Sequence, residues 1–170
     1  SNPLTAGAAA VVRDFYQKGY GHAASAALTK ATLINSATDL LDENNDGAGD
    51  NDYPIPNIHE GWGLVNLAAA TGGSHAYVEE TTGIGTGEDL VYTFDVLAAD
   101  MPFKATLVWS DYPSTAAAAQ NLVNDLDLTV TSPGNVVYRG NVFSGGWSQT
   151  GGTADRTNNV ENVFVAVPET

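Results

Sequence analysis

Residues 125–131, Asp-Leu-Asp-Leu-Thr-Val-Thr, alternate between polar and apolar side chains. Because successive side chains of a β-strand point to opposite faces, this period of two predicts a strand with one polar and one apolar face. Five further short strands are predicted after Ser74 on the same basis. The six predicted strands cover residues 76–80, 89–97, 103–109, 125–131, 136–139 and 160–167. Short strands separated by turn-rich loops indicate an all-β sandwich or barrel.

Before residue 74 the apolar side chains recur every three or four positions, which is the spacing of a helix face. The predicted helices cover residues 3–18, 25–41 and 64–70. In the first of them, the run Ala6-Gly7-Ala8-Ala9-Ala10 would let another backbone approach closely, so we expect this helix to be buried. The change of period predicts two domains, residues 1–73 and residues 74–170.

The composition bounds the class of protein. A chain of 170 residues with 43% hydrophobic residues can form a core. Its formal net charge of -14 repels phosphate backbones, so we expect no nucleic-acid partner. No apolar run approaches the roughly 18 residues that a membrane-spanning helix needs, so we expect no membrane span. Cysteine is absent, which excludes disulfides, thiolate catalysis and cysteine-bound zinc.

The acidic residues are unevenly distributed, because residues 39–100 carry 13 of the 20 and no Lys or Arg. Three interpretations stay open: a solvated surface, a halophilic or acid-adapted surface, or carboxylates that share a hard cation such as calcium. No complete catalytic motif accompanies them. The chain has neither H-E-x-x-H nor G-x-S-x-G, and Gly83–Gly87 lacks the Gly-Lys-Ser/Thr ending of a phosphate loop.

Two stretches carry oxygen ligands in a pattern typical of calcium sites. In the first, Asp125 and Asp127 share a face of the predicted strand, and two close carboxylates repel each other unless a cation lies between them. The other candidate ligands are Asp111, Asn124 and Glu161. The alternative is that both carboxylates simply point to water on an exposed face of the sheet.

The second stretch runs from Asp42 to Asp52 and begins like a D-x-N-x-D-G calcium loop. Its candidate ligands are Asp42, Asn44, Asp46, Asp50 and Asp52. The twelfth position is Tyr53 rather than the bidentate Glu of an EF-hand, so a looser calcium loop is predicted. The alternative is a flexible polar loop, because Asp, Asn and Gly are also turn residues.

Several segments resemble subtilisin-like serine proteases. Ser1–Ala10 resembles the segment after the catalytic serine in the motif G-T-S-M-[AS]-x-P-x-x-A-G, with Pro3 and Ala6-Gly7 aligned. Lys30–Ala37 resembles the next helix of those enzymes, and Glu60–Leu67 resembles their closing G-x-G-x-V-[ND] segment. The segments that resemble the C-terminal jelly-roll barrel of certain alkaline subtilases are residues 105–111, 122–128 and 158–163.

The resemblance implies that residues 1–73 are the α/β tail of a subtilase catalytic domain. It implies that residues 74–170 are a calcium-stabilised jelly-roll barrel without its last strands. The parent protein would be a secreted endopeptidase that cleaves protein or peptide substrates with a Ser-His-Asp triad. The nucleophile would lie two residues before Ser1, so the upstream half of the protease domain would be the partner of this chain. The chain alone, with no catalytic residue of its own, is expected to be inactive.

A second interpretation is a noncatalytic β-sandwich binding module for carbohydrate or a cell surface. Trp109, Trp147 and Tyr112 would then form its stacking surface, because aromatic rings offer large flat contact areas. The two interpretations differ in the residues expected before Ser1, since only the protease requires Gly-Thr-Ser-Met there.

Overall fold

The computed structural model describes residues 2–41, 44, 46–47 and 50–170. Its helices are α1 (Asn2–Tyr20), α2 (Ala26–Asn35) and α3 (Leu67–Ala70). Its strands are β1 (Phe103–Val108), β2 (Thr129–Thr131), β3 (Val137–Ser144), β4 (Trp147–Thr150) and β5 (Val160–Val165). Two predicted positions, Ser1 after the nucleophile motif and Asp42 in the acidic loop, lie outside the described residues.

The helices pack around a small apolar core. Helix α1 buries Ala8, Val12 and Tyr16, which are four residues apart and therefore share one helix face. The Tyr16 hydroxyl reaches α2, where it lies 2.9 Å from Thr32 Oγ1. The core residues are Val12, Tyr16, Ala24, Leu28 and Ala70. The expectation that this helix is buried is not met over its first half, because Ala6, Gly7 and Ala10 are exposed, and Leu4, one turn before Ala8, is 75% exposed.

Helix α2 ends earlier than the predicted range of residues 25–41. Ser25 caps its N-terminus, and the Ser25 hydroxyl accepts a hydrogen bond from the Leu28 backbone at 3.0 Å. It ends at Asn35 with Ser36 as its C-cap, and Thr38 then exchanges two backbone hydrogen bonds with Leu64 at 3.0 and 2.8 Å. The apolar residues after position 36 keep the spacing of a helix face but are not helical, because the backbone at Thr38 pairs with Leu64 instead.

Both sheets are antiparallel. One pairs β1 with β5, and the other has the order β2–β3–β4. The sheets face each other through Phe143 and Phe164, whose ring centroids are 5.5 Å apart, and Trp62 packs edge-on against both rings. Helix α2 contacts β1 through Asn35, which donates to Lys104 O and Thr106 Oγ1 at 3.1 Å each.

The structure differs from the predicted strands at five places. Strand β2 begins only at Thr129, so Asp125 and Asp127 lie in the loop before it rather than on the predicted strand 125–131, and β3 continues to Ser144, beyond the predicted 136–139. Residues 76–80 and 89–97, all of them described, belong to neither sheet, although 89–97 has the alternation of a strand. Alternation describes the two faces of a segment and does not supply the neighbour whose backbone a strand requires. Strand β4 was not predicted; it pairs with β3 across Gly145 and Gly146, whose φ values are 59° and 82°.

The described chain is therefore rich in antiparallel β-structure with few helices, and the full jelly roll remains an expectation. None of its described helices combines the length and the apolar content that crossing a membrane requires.

Candidate functional site

A cavity of about 370 Å³ opens beside β2, β3 and β5. It contains two predicted cation ligands, Asp127 and Glu161, together with two arginines, Arg139 and Arg156. The remaining wall is formed by Leu128, Thr129, Gly140, Gly152, Thr153 and Ala154. The walls come from segments that are distant in the chain, so only folding assembles this site.

Glu161 lies at the buried side of the cavity and is 1% exposed. Its Oε2 accepts a hydrogen bond from the Leu128 backbone at 2.6 Å, whereas the buried Oε1 has no hydrogen-bond partner among the described residues. Burial raises the pKa of Glu161 to about 7, the Leu128 hydrogen bond opposes this, and the charges of Asp127, Asp155 and Asp125 add to the rise. A buried carboxylate oxygen without a donor is costly unless a proton or a cation compensates it.

Gly140 makes room for this carboxylate. Glu161 pairs with Leu107 in the β1–β5 sheet, and its side chain extends toward β3. A Cβ atom placed on Gly140 would lie only 2.2 Å from Glu161 Oε2 and 2.7 Å from Glu161 Cβ. The absence of a side chain at this position is therefore required for Glu161 to occupy the gap between the sheets.

Arg156 neutralises the two aspartates of the first predicted site. Its Nη1 donates to Asp125 Oδ2 in a short contact and lies 3.4 Å from Asp127 Oδ2. The loop that carries it is held by the neighbouring Asp155, which accepts hydrogen bonds from Asn141, Asn158 and the Thr157 backbone. No sequence signal identifies Arg156, because its partners lie about 30 residues away in the chain and no local motif links them.

The two other predicted ligands, Asp111 and Asn124, form a separate cluster. Asp111 accepts backbone hydrogen bonds from Tyr112, Val123 and Asn124 at 2.7–2.9 Å, and a further one from the Asn124 side chain at 2.9 Å. These hydrogen bonds, led by the one from Val123, lower the pKa of Asp111. In this structure Asp111 and Asn124 fix the loop before β2, while Asp127 and Glu161 line the cavity and Asp125 is connected to it only through Arg156.

The cavity residues fit a hard cation by their chemistry. They offer carboxylate oxygens of the kind that calcium prefers, including the orphaned Glu161 Oε1, in a space that Gly140 keeps open. In their present positions, no three acidic or histidine side chains of the described residues converge closely enough to hold an ion. Binding would therefore require the exposed aspartates to turn away from Arg156.

In the second predicted loop, Asn44 connects two of the aspartates. Its side-chain nitrogen donates to Asp46 at 3.2 Å and to Asp52 at 2.6 Å, and its Oδ1 accepts from the Asp46 backbone at 2.8 Å. Asp50 is described but is not joined to this group by those bonds. Beside the loop, Asn51 donates to Asp39 at 2.6 Å, and one oxygen of each residue is buried without a partner among the described residues.

The three aromatic residues of the binding-module interpretation do not present a common exposed surface. Trp109 is only 9% exposed, and its indole N–H donates to Asn124 O at 2.9 Å. Tyr112 is 72% exposed, and Trp147 lies on β4 in the other sheet. A buried Trp109 cannot stack on a ligand without rearrangement, so this structure does not favour that interpretation.

Two of the three histidines, His22 and His75, connect the helices to the segment after them, whereas His59 packs on Tyr53. His22 Nε2 lies 2.8 Å from Glu79, which also accepts from the Ser25 backbone at 2.8 Å. Burial alone would raise the pKa of Glu79, but the hydrogen bonds from Ser25 and His22 lower it. His75 Nε2 lies 3.0 Å from the Tyr16 hydroxyl, and burial lowers the pKa of His75. Among the described residues, no histidine hydrogen-bonds a serine hydroxyl as a nucleophile–base pair would.

A second, apolar groove of about 720 Å³ runs along α1 and α2. Ala9 and Thr5 of α1 form one wall, Leu33 and Ile34 of α2 form another, and Trp62 closes one end. Together with the exposed Leu4, this groove makes the helical region an incompletely covered layer.

Two curated proteins of Dictyostelium discoideum are similar to nearly the whole chain. Serine protease/ABC transporter B family protein tagD is 26% identical over 216 aligned residues, which cover 96% of this chain and 12% of that protein. Serine protease/ABC transporter B family protein tagA is 28% identical over 184 aligned residues, which cover 93% of this chain and 10% of that protein. No protein-family profile matches the chain. The chain spans about a tenth of the length of these relatives, and the similarity links it to proteins named as serine proteases.

Proposed function

We propose that this chain is the C-terminal portion of a subtilisin-like serine endopeptidase and supplies the helix after the nucleophile together with a calcium-stabilised β-domain. The order of the motifs from Ser1–Ala10 to residues 158–163 supports the proposal, as does the similarity to two proteins named as serine proteases. In the intact enzyme, an upstream Ser-His-Asp triad would hydrolyse peptide bonds by acyl transfer.

The observation that carries this proposal is the exposed N-terminal part of α1, residues 2–7. Leu4 is 75% exposed in the first turn, and the groove beside α1 is lined mainly by apolar groups. Burying one such leucine contributes about 1.5–3 kcal/mol, so a second layer of protein on this face would be stabilising. The upstream half of the protease domain is the occupant that the motif order proposes.

In that arrangement the first turn of α1 would have a direct role. The backbone N–H groups at a helix N-terminus are unpaired and carry a partial positive charge, which favours developing negative charge nearby. Asn2 begins α1, so the proposed nucleophile would precede this helix end by a few residues. The chain would then position the nucleophile and contribute to the electrostatics, while His and Asp come from the upstream half.

The first prediction concerns covalent labelling by a fluorophosphonate, which reacts with activated serines. We expect the 170-residue chain alone to show neither labelling nor peptidase turnover, because its described histidines contact no serine hydroxyl. We expect a chain extended upstream through the whole protease domain to be labelled at the serine two positions before Ser1. Labelling of the 170-residue chain would contradict the assignment, and so would an upstream sequence without Gly-Thr-Ser-Met directly before Ser1.

Calcium is the cofactor that we propose for the β-domain. Asp125, Asp127 and Glu161 would hold it, because Asp127 and Glu161 line one cavity, Asp125 shares Arg156 with Asp127, and Glu161 Oε1 has no partner among the described residues. When bound, the ion would compensate carboxylate charge between β2 and β5. Its role would be structural, since a ligand that binds only the folded state raises the free energy of unfolding.

The second prediction is that chelation lowers the melting temperature. At a calcium concentration 100 times the Kd, the stabilisation is about 2.7 kcal/mol, which corresponds to roughly 5–10 °C for a chain of this size. We expect Asp127→Ala to remove most of this dependence when thermal unfolding is followed with and without EDTA. Asp14→Ala is the matched control, because Asp14 is an exposed carboxylate on α1 that pairs with Lys18. Equal melting temperatures of the wild type with and without EDTA would remove calcium from the proposal.

A further inference from the structure

We infer that Arg156 is an exchangeable counter-ion of the proposed calcium site: its guanidinium occupies the cation position between Asp125 and Asp127, and a divalent cation has to displace it. This inference rests on the proposed function of the cavity. The inference adds Arg156, a positively charged residue that lowers the calcium affinity of the site. No ligand motif contains this residue.

The contacts of Arg156 place it where a shared cation would lie. One nitrogen, Nη1, faces carboxylate oxygens of both Asp125 and Asp127. Without a positive group between them, two carboxylates at this separation would repel each other. The arginine therefore performs in the present structure the charge compensation that calcium would perform in the bound state.

Arg156 leaves the deepest acceptor of the site unused. It lines the same cavity as Glu161, yet Glu161 Oε1 has no hydrogen-bond partner among the described residues. Calcium takes six to eight oxygen ligands and could approach Glu161 together with Asp127 and nearby carbonyl groups. Arg156 compensates Asp125 and Asp127 only. A cation that also binds Glu161 Oε1 would make an interaction that the arginine does not make, and this would favour the exchange.

The exchange requires only a side-chain movement. Arg156 has a side chain that is 57% exposed, so it can rotate into solvent. Its backbone is held by the neighbouring Asp155, whose Oδ1 accepts from the Thr157 and Asn158 backbone at 2.8 and 3.2 Å. Asp155 Oδ2 also anchors the loop to β3 through Asn141 at 2.7 Å. The loop can therefore stay in place while the guanidinium leaves.

The test is calcium titration calorimetry on the wild type, Arg156→Gln and Arg139→Gln. We expect Arg156→Gln to bind calcium about tenfold more tightly, the effect of removing two partly exposed ion pairs that compete with the ion. Arg139→Gln removes the same charge from the same cavity but breaks only a bond to Gly152 O, so we expect a change of less than about threefold. Equal affinities of the wild type and Arg156→Gln would overturn the exchange and leave the calcium proposal intact.

Two further outcomes separate the inference from the proposed function. No binding by any of the three proteins would overturn the calcium site and the exchange together. Binding by Arg156→Gln but not by the wild type would show that calcium does not displace the arginine, and would overturn the exchange.

Thermal unfolding of the same variants gives a readout that a purely structural role would not produce. We expect Arg156→Gln to melt below the wild type in EDTA, because Asp125 and Asp127 then lack compensation. We also expect its gain in melting temperature on adding calcium to exceed that of the wild type. If Arg156→Gln lowers the melting temperature by the same amount with and without calcium, Arg156 only supports the fold, and the inference is overturned.

Discussion

Without metal, the wild type should lose about 3 kcal/mol of its free energy of unfolding as the pH rises from about 4.5 to about 7, and Glu161→Gln should not show this loss. The expected result concerns the difference between the two proteins. The free energy of unfolding of the variant should increase relative to that of the wild type as the pH rises through this range. Above pH 7 the difference between the two proteins should be constant.

The sign is set by where the proton is held. Burial raises the pKa of Glu161 from 4.5 to about 7, so between these values the folded chain retains a proton that the unfolded chain has released. The unfolded state then binds fewer protons, and the free energy of unfolding decreases as the pH rises. A difference of about 2.5 in pKa corresponds to about 3 kcal/mol, and Gln cannot titrate.

Urea denaturation in EDTA at four pH values between 4 and 8 measures this difference. Glu88→Gln is the control for the loss of one negative charge, because Glu88 is an exposed carboxylate in the turn at residues 85–88. Parallel pH profiles for the wild type and Glu161→Gln would contradict the burial of Glu161. If Glu88→Gln shows the same pH-dependent difference from the wild type, the effect comes from the net charge of the chain and not from the burial of Glu161.

Gly63→Ala should be the most destabilising single-methyl substitution in the helical region, at about 3–5 kcal/mol. Gly63 has φ +106°, and a Cβ atom there would lie 2.6 Å from Thr38 O and 2.9 Å from Thr38 C. Both atoms belong to the backbone, so neither can move aside as a side chain could. The substitution would also disturb the Thr38–Leu64 backbone pair that lies just after α2.

Gly61→Ala provides a matched comparison two residues away. Gly61 also has a positive φ, +68°, but a Cβ atom there meets nothing within 4 Å. We expect this variant to lose only the cost of the left-handed backbone, about 1–2 kcal/mol. Chemical denaturation of both variants checks the difference, and equal losses would show that the approach of Thr38 does not restrict position 63.

Gly61 and Gly63 have different structural roles. In the segment Gly61-Trp62-Gly63 the structure supplies a different reason for each glycine. Gly61 provides a backbone conformation, whereas Gly63 allows two backbones to approach closely. Trp62 between them packs on Phe143 and Phe164, which connects the helical region to both sheets.

Much of the helical region could be predicted from the amino-acid sequence. The predicted helix at residues 3–18 lies within α1, which covers Asn2–Tyr20, because its apolar spacing and its lack of internal breakers are local properties. Strands β1 and β5 lie within predicted segments for the same reason. Residues 89–97 have equally good alternation but lie outside both sheets, because pairing depends on a neighbour that periodicity does not reveal.

The candidate site shows the same division. The sequence alone determined which residues could serve as oxygen ligands: Asp125 and Asp127 by their spacing, and Glu161 by its side-chain type. Only the tertiary structure decided that Glu161 is buried opposite Gly140, that Arg156 lies against both aspartates, and that Asp111 is used by its own loop. Side-chain chemistry belongs to each residue, whereas burial and charge compensation arise when strands and loops distant in the chain come into contact.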